Sequence, residues 1–343
     1  MSQPPQILIF GAGAVGAFYG ALLARSSPKS TASDESSTPP PPSVSCVCRS
    51  NYAAVSSQGF KLTSPTHGNW TWRPSQVFSS PSAARDSGIK WDYVVITTKA
   101  LPDVSDDSAL LEGLISSGGA TTSIVLIQNG LGVEAPYAAR FPDAKAILSG
   151  VTVVSAAQPE AGVIRHNRWT RITIGAYTPS NSEAEASGAQ TFVDLLKDGG
   201  QLQLLRWHKL AINAAMNPSS VLSGGASNAS MSRDPLLAAH LKAVMEEVLS
   251  AAEVVCGAKM PKGFASAEQI LNSTRKNDSD SRPSMWADWE GGKPMELEVI
   301  LGEPVRAARR KGLEMPRLES MYALLKMAQQ ERDRRAKEQK SKL

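Results

Sequence analysis

The fold of this chain is decided near its beginning, by the stretch Gln6-Ile7-Leu8-Ile9-Phe10-Gly11-Ala12-Gly13-Ala14-Val15-Gly16. The apolar run predicts a buried strand, and the residues around and after Gly16 continue as a helix. In this setting Gly11 permits a tight turn, Gly13 lets the backbone approach a pyrophosphate, and Gly16 lets helix and strand pack closely. The stretch therefore predicts a dinucleotide-binding site of the Rossmann type at residues 11–16.

The next predicted strand, residues 44–48, bears on the choice of cofactor. It follows a Ser-, Thr- and Pro-rich insertion at residues 26–43, whose composition predicts disorder. Arg49 stands directly after the strand, where an acidic residue would hold the ribose of NAD and an arginine suits the additional phosphate of NADP. We therefore expect NADP(H) as the cofactor. The alternative is that Arg49 is an ordinary surface residue.

Two further predicted strands, residues 93–98 and 123–127, end in polar residues. Lys99 follows the first, and Gln128-Asn129-Gly130 follows the second. Ligands of an open parallel sheet lie beyond the carboxyl ends of its strands, so Lys99 and Asn129 are expected to meet cofactor or substrate. Alternatively, Asn129-Gly130 is a simple turn and Lys99 an exposed lysine.

The alternation of strands and helices stops near residue 205. Before it lie predicted strands at 146–154 and 171–175 and a helix at 183–196; after it lie predicted helices at 207–218, 235–256, 265–272, 294–311 and 317–329. The expected fold class is α/β, with an N-terminal Rossmann-type dinucleotide-binding domain at 1–205 and an all-α C-terminal domain at 206–330 for substrate binding and dimerisation. A charged tail at 331–343 completes the chain.

The helix predicted at residues 207–218 carries one ammonium and two carboxamides on a single face. Lys209, Asn213 and Asn217 stand four apart, close to one helical turn. The rest of the segment is apolar, which predicts a buried helix whose polar groups need partners. Burial makes a lysine a readier proton donor, so Lys209 is a candidate general acid. The alternative is a surface helix with a solvated stripe. Pro218 is expected to end or kink the helix.

Composition excludes several classes of protein. The 343 residues are 42% hydrophobic and 20% charged, as in a soluble globular protein. The net charge of +4 is small, and the basic residues lack the aromatic interleaving of a nucleic-acid-binding surface. Three cysteines favour a reduced compartment. Neither a secretory leader nor an apolar run long enough to span a membrane is present. No metal site is predicted.

The chain finishes in Ser341-Lys342-Leu343, the tripeptide read by the peroxisomal import receptor. The tail before it is strongly charged and is expected to be exposed, as an address read by a receptor must be. The sequence therefore predicts a peroxisomal protein that binds that receptor. If the ending is a coincidence, the protein is expected in the cytoplasm.

Taken in order, the motifs resemble those of the ketopantoate reductase family. The resemblance rests on the glycine stretch, Arg49, Lys99, Gln128-Asn129-Gly130, Trp207-His208-Lys209-Leu210, Asn213, Asn217-Pro218, Ser284-Met285 and Glu296. It covers nearly the whole chain apart from the insertion and the charged tail. It implies NADPH-dependent reduction of 2-dehydropantoate to (R)-pantoate, which supplies pantothenate and coenzyme A.

The resemblance also implies a role for each matching residue, in a cleft between the two domains. The residues implied in cofactor binding are Gly11, Ala12, Gly13, Ala14, Val15, Gly16, Arg49, Lys99 and Asn129. Those implied in substrate binding are Asn129, Asn213, Asn217 and Ser284. The catalytic residues are Lys209, as general acid, and Glu296, which holds the substrate hydroxyl and helps to place the lysine. Without the resemblance, Ser284 could be a helix N-cap and Glu296 a solvated carboxylate.

Three functions remain open. The first is ketopantoate reduction. The second is reduction of another 2-oxo acid or ketone by the same site, for instance in secondary metabolism, which the terminal tripeptide favours. The third is an NADP-binding regulatory or sensor protein, which the joint presence of Lys209, the asparagines and Glu296 disfavours. Membership of the hydroxyacid dehydrogenase family is disfavoured, because the Ser-Gly-Gly substrate loop of that family is absent. The comparable stretch here is Val153-Val154-Ser155-Ala156-Ala157. Both a monomer and a homodimer are compatible with the sequence.

Overall fold

The computed structural model describes residues 3–25, 41–115, 121–177, 199–276 and 281–341. Most of the insertion, the helix expected at 183–196 and the last two residues of the terminal tripeptide lie outside this part of the chain. The chain divides into two compact units. Unit 1 comprises Met1–Lys99, Asp106–Gln128 and Glu134–Gly199, and unit 2 comprises Ala100–Ser105, Asn129–Val133 and Gly200–Leu343.

Within the described residues, unit 1 contains nine strands and the helices that connect them. The strands are β1 (Gln6–Phe10), β2 (Ser43–Val47), β3 (Phe60–Ser64), β4 (Gly68–Trp72), β5 (Val77–Phe78), β6 (Tyr93–Ile96), β7 (Ser123–Leu126), β8 (Ala146–Glu160) and β9 (Val163–Ala176). The helices are α1 (Ala14–Arg25), α2 (Tyr52–Gln58), α3 (Pro81–Asp86) and α4 (Ala135–Arg140), with a 3₁₀ turn at Ala109–Leu111.

The strands form one sheet in the order β4-β3-β9-β8-β7-β6-β1-β2-β5. Strands β8, β7, β6, β1, β2 and β5 are parallel, as expected for a Rossmann-type domain. The sheet as a whole is mixed, because β8–β9 and β3–β4 are antiparallel hairpins. The short strands expected at 146–154 and 171–175 are parts of the long β8 and β9.

Strand β1 is apolar on both faces because both faces of the sheet are covered. Ile7 and Ile9 belong to one buried cluster, and Leu8 and Phe10 belong to another. A central parallel strand covered on both sides has this continuous apolar pattern. The glycine stretch therefore starts from a rigid position in the middle of the sheet.

Unit 2 is helical. Its helices are α5 (Gly199–Leu222), α6 (Asn228–Arg233), α7 (Pro235–Cys256), α8 (Ala267–Arg275), α9 (Ser284–Glu290), α10 (Glu303–Arg309) and α11 (Pro316–Ser341), with a π-helical turn at Glu298–Gly302. Helix α7 has the predicted bounds. Helix α11 continues through the charged segment that was expected to be a tail. No helix in the described residues is both long and apolar enough to cross a membrane.

Helix α5 differs from its prediction at both ends. It begins at Gly199, so the boundary expected at residue 205 falls inside a helix, and unit 2 also includes two short segments from earlier in the chain. The helix also continues through Pro218 to Leu222. A proline removes only one helical hydrogen bond, and burial of Met216 and Val221 on either side stabilises the uninterrupted helix.

Candidate active site

The glycine stretch forms a tight turn between β1 and α1, and its glycines are required for different reasons. Gly11 has φ of 103°, and a Cβ there would lie 2.7 Å from the backbone nitrogen of Thr98. A Cβ on Gly16 would lie 2.4 Å from Oγ1 of Thr97. A Cβ on Gly13, in contrast, would meet nothing within 4 Å. The open space beside Gly13, next to the first turn of α1, fits a pyrophosphate group.

Two residues that the sequence did not single out hold this turn in place. Oγ1 of Thr97 donates to the carbonyl oxygen of Gly11 at 2.7 Å. Nδ2 of the buried Asn51 donates to the carbonyl oxygen of Ala12 at 2.8 Å. Both residues follow a strand that pairs with β1. Their position after a neighbouring strand is the signal that could have revealed them.

The two basic residues expected near the NADP phosphate follow the strands on either side of β1 in the sheet. Arg49 follows β2 and Lys99 follows β6, the two strands that pair with β1. Both side chains are exposed. The carboxyl ends of β2, β1 and β6 thus carry a cation, a glycine turn and a second cation, which suits a dinucleotide with an additional phosphate.

Three predicted site residues come together in unit 2. Nζ of Lys209 donates to Oδ1 of Asn129 at 2.8 Å, and Nδ2 of Asn129 donates to Oε2 of Glu296 at 3.3 Å. The other oxygen of Glu296, Oε1, accepts from the backbone N–H of Ala100 at 3.3 Å. Glu296 is only 6% exposed, so its alternative interpretation as a solvated carboxylate is wrong. Asn129 connects the ammonium to the carboxylate.

Lys209 has the electrostatic properties of a proton donor. Its pKa is lowered to about 8, mainly by burial and also by the nearby Arg206, while Glu296 opposes both effects. An acid with a pKa near neutrality combines a protonated resting state with ready proton release. Lys209 is therefore suited to protonate an oxygen that gains negative charge.

The remaining predicted substrate residues, Asn213, Asn217 and Ser284, lie outside this hydrogen-bonded series. Asn213 is partly buried and Asn217 is 5% exposed, so the predicted stripe is not a solvated face. Within the described residues, neither carboxamide hydrogen-bonds another protein group, which leaves both available to a ligand. Ser284 is exposed and is the first residue of α9. The N-cap of α9 is Pro283, so the capping interpretation of Ser284 is wrong.

Arg206 is a further charged residue beside this cluster that the sequence did not reveal. It is 4% exposed, and its Nη1 donates to the carbonyl oxygen of Gly130 at 3.0 Å. The signal available in the sequence was its position three residues before Lys209, which places both on one side of a helix. No group of His, Cys, Asp and Glu side chains in the described ranges could hold a metal ion.

Comparison with known proteins agrees with the fold. The family model of ketopantoate reductase PanE/ApbA matches residues 7–179, and the family model of the C-terminal region of ketopantoate reductase PanE/ApbA matches residues 201–329. An uncharacterised protein of Saccharomyces cerevisiae is 32% identical over 317 residues, which are 83% of this chain and 86% of that protein. A 2-dehydropantoate 2-reductase of Nostoc is 28% identical over 330 residues, 93% of each chain.

A solved structure extends the comparison to three dimensions. The crystal structure of 2-dehydropantoate 2-reductase from Methylococcus capsulatus has a TM-score of 0.75 and 34% sequence identity, and the match covers 95% of this chain and 97% of that one. The resemblance and the fold class inferred from the sequence are thereby confirmed. The chain belongs to the ketopantoate reductase family, whose members are NADP-dependent oxidoreductases that act on CH–OH groups.

Proposed function

We propose that this protein reduces 2-dehydropantoate to (R)-pantoate with NADPH. The observation that carries the proposal is the hydrogen-bonded series from Lys209 through Asn129 to Glu296. It combines a proton donor, a polar connector and a buried carboxylate in a family whose Nostoc and Methylococcus members are named 2-dehydropantoate 2-reductases. Pantoate formation would supply pantothenate and coenzyme A.

Lys209 acts as the general acid in this proposal. NADPH, when bound, would supply the hydride for C2 of the oxo acid. The ammonium of Lys209 stabilises the negative charge that gathers on the C2 oxygen, and then transfers a proton from Nζ to that oxygen. Asn129 holds Nζ through its Oδ1, which restricts the directions in which the ammonium can point.

Glu296 accepts a hydrogen bond from the substrate hydroxyl and balances the charge of Lys209. Its burial strengthens both interactions, since a carboxylate away from water interacts more strongly with a donor or a cation. Asn213 and Asn217 follow Lys209 on the same face of α5 and contribute donors to the oxo acid. We assign Ser284 to the substrate carboxylate on the family resemblance alone.

Unit 1 binds NADPH in this proposal. The open space beside Gly13 accommodates the pyrophosphate, with α1 directing its first N–H groups toward it. Arg49 and Lys99 provide positive charge for the phosphate that distinguishes NADPH from NADH. The fit of the glycine turn and the two cations supports this choice of cofactor.

The test is oxidation of NADPH by the purified protein with 2-dehydropantoate and a panel of other 2-oxo acids and ketones. We expect 2-dehydropantoate to have the highest kcat/KM and Lys209→Ala to lose nearly all activity. If another oxo acid or ketone in the panel has a higher kcat/KM, the proposal that 2-dehydropantoate is the substrate is rejected in favour of that compound. If NADPH binds and nothing in the panel is reduced, a regulatory NADP-binding role replaces catalysis.

We also propose import into peroxisomes, which rests on the terminal Ser341-Lys342-Leu343. A fluorescent protein fused to the amino terminus should give a punctate signal that overlaps a peroxisomal marker. Deletion of the three residues should make the signal diffuse. A diffuse signal from both fusions would reject peroxisomal import and favour the cytoplasm.

A further inference from the structure

Arg206 is a buried cation placed directly beside the Lys209 cluster. It lies three residues before Lys209 on α5, and is 4% exposed. A guanidinium stays protonated at all accessible pH values, so a buried positive charge is a permanent feature of this position. Burial of such a charge is costly, and its cost is reduced here by the bond from Nη1 to the carbonyl oxygen of Gly130.

That carbonyl belongs to the residue that follows Asn129. The same peptide group is also held at its other end: the N–H of Leu131 donates to the carbonyl oxygen of Val299 at 2.9 Å. Gly130 has φ of 87°, and a Cβ on it would lie 2.4 Å from Cβ of Val299. The segment at 129–133 is thus fixed between α5 on one side and the π-helical turn on the other, directly beside Asn129.

The position of Asn129 decides whether its carboxamide can serve two partners at once. Its Oδ1 accepts from Lys209 and its Nδ2 donates to Glu296, so rotation or displacement of the amide would break one bond or both. Small displacements of catalytic groups reduce rates strongly. Arg206 holds the peptide group between Gly130 and Leu131, one residue beyond Asn129.

We propose that Arg206 is a positioning residue: by holding the Gly130 carbonyl, it keeps Asn129 in place between Lys209 and Glu296. The inference rests on the proposed function of the same site. Arg206 acts through Asn129 and Lys209 and does not itself touch the substrate.

The charge of Arg206 gives this role a measurable signature. The charged groups that act on Lys209 are Arg206, which lowers its pKa, and Glu296, which raises it. The adjacent titratable residue on α5, His208, hydrogen-bonds instead to the carbonyl oxygen of Ala265 at 2.8 Å. Removal of the charge at position 206 should therefore raise the pKa of Lys209, whereas a purely structural residue would leave it unchanged.

Three variants separate the contributions. Arg206→Met keeps an unbranched stem and removes the charge and the donors. Arg206→Lys keeps the charge but not the planar fork. Arg335→Met is the matched control, since Arg335 is exposed and pairs with Glu331 on its own helix.

The first measurement needs no substrate. In protein labelled with carbon-13 lysine, the signal of Lys209 is assigned by its loss in Lys209→Ala and is titrated with pH. We expect Arg206→Met to raise the pKa of Lys209 by roughly one unit and Arg206→Lys to leave it nearly unchanged. If the wild type reduces no oxo acid, this titration still reports on Arg206, so failure of the proposed function is distinguishable from failure of the inference.

The second measurement is steady-state kinetics. We expect both Arg206 variants to lose kcat by on the order of tenfold to a hundredfold with a much smaller change in KM, and Arg335→Met to behave as the wild type. Arg206→Lys serves as the test if Arg206→Met does not fold. Unchanged kcat in the folded variants, or an unchanged Lys209 pKa in Arg206→Met, would overturn the inference.

Discussion

Lys209 and Asn129, eighty positions apart in the sequence, are joined by a hydrogen bond of 2.8 Å from Nζ to Oδ1. Because an amide has one acceptor side and one donor side, this bond directs Nδ2 of Asn129 toward the carboxylate of Glu296. An asparagine is therefore suited to this position in a way that neither an aspartate nor an aliphatic residue would be.

Replacement of Asn129 by Asp tests this requirement. The variant keeps an oxygen for Lys209 but places a second carboxylate against Glu296, where an amide donor was present. Repulsion between the two should displace Glu296 and lower kcat by on the order of tenfold to a hundredfold. The additional negative charge should also raise the pKa of Lys209. Asn69→Asp, at an exposed position on β4, is the control for the chemical change.

The pH dependence of the reaction should report on Lys209. Proton donation requires the ammonium form, and the pKa of Lys209 is about 8. We expect kcat/KM for oxo acid reduction to be level near neutrality and to fall above about pH 8. Lys209→Arg stays charged throughout this range, so its residual activity should lack that decline. A decline near the same pH in Lys209→Arg would assign it to another group.

The same lowered pKa makes the stability of the protein depend on pH. The pKa of Lys209 is about 8 in the folded chain and 10.5 without burial, so between these values the unfolded chain binds more protons. Stability should therefore rise with pH across this interval, by about 3 kcal/mol at most. We expect the free energy of unfolding of the wild type to increase relative to that of Lys209→Met between pH 8 and 10.5. Parallel curves for the two proteins would contradict the burial of a charged Lys209.

The sequence predicted best where several local signals agree on one structure. The apolar strand, the glycine turn and the helix around residues 6–25 each favour the same arrangement, and helix α7 has Pro at its start and a left-handed Gly257 at its end. Strand β3 was missed although its buried and exposed residues alternate, since it is only five residues long and one of its pairing partners, β9, lies far along the chain. Strand β4 has little buried surface of its own and lacks that alternation.

In the candidate site too, residues set by a local pattern were predictable and those set by contacts distant in sequence were not. Lys209, Asn213 and Asn217 were predictable because a helix repeats every few residues. The burial of Glu296 and the role of Arg206 were not, since both depend on contacts with the segment at 129–133, which no local pattern specifies. A charged residue in a sequence is most often solvated, and only the fold reveals the exceptions.

Glu298, the first residue of the π-helical turn, anchors this turn to α11 and should matter for stability. Burial alone would raise its pKa, but hydrogen bonds from Lys326, Tyr322 and Arg306 keep it below the ordinary value. The bonds from Lys326 and Arg306 are 2.7 and 3.0 Å long. The stabilisation should be present above the ordinary pKa of 4.5 and be lost as the pH falls through the lower folded value.

Replacement of Glu298 by Gln removes this charge with little change of shape. We expect the variant to lose about 2 kcal/mol of unfolding free energy at neutral pH, measured by urea denaturation, and to approach the wild type in acid. Glu338→Gln, at an exposed position that pairs with Arg334, is the control. Equal losses at neutral and acidic pH would show that the charge of Glu298 is not the source of the stabilisation.

Gly13 and Gly16 offer a matched pair that separates cofactor binding from folding. A Cβ on Gly16 would lie 2.4 Å from Oγ1 of Thr97 and 2.5 Å from the carbonyl oxygen of Gly11, so Gly16→Ala must displace the turn. We expect Gly16→Ala to lose about 2 kcal/mol of stability.

A Cβ on Gly13 would enter the open space that we assign to the pyrophosphate. Gly13→Ala should therefore keep the thermal stability of the wild type, or exceed it slightly, because alanine restricts the unfolded chain. Its dissociation constant for NADPH, measured by calorimetry, should rise by on the order of tenfold or more, because the methyl group occupies space that the bound phosphate requires. Unchanged NADPH affinity in a stable Gly13→Ala would mean that the pyrophosphate lies elsewhere.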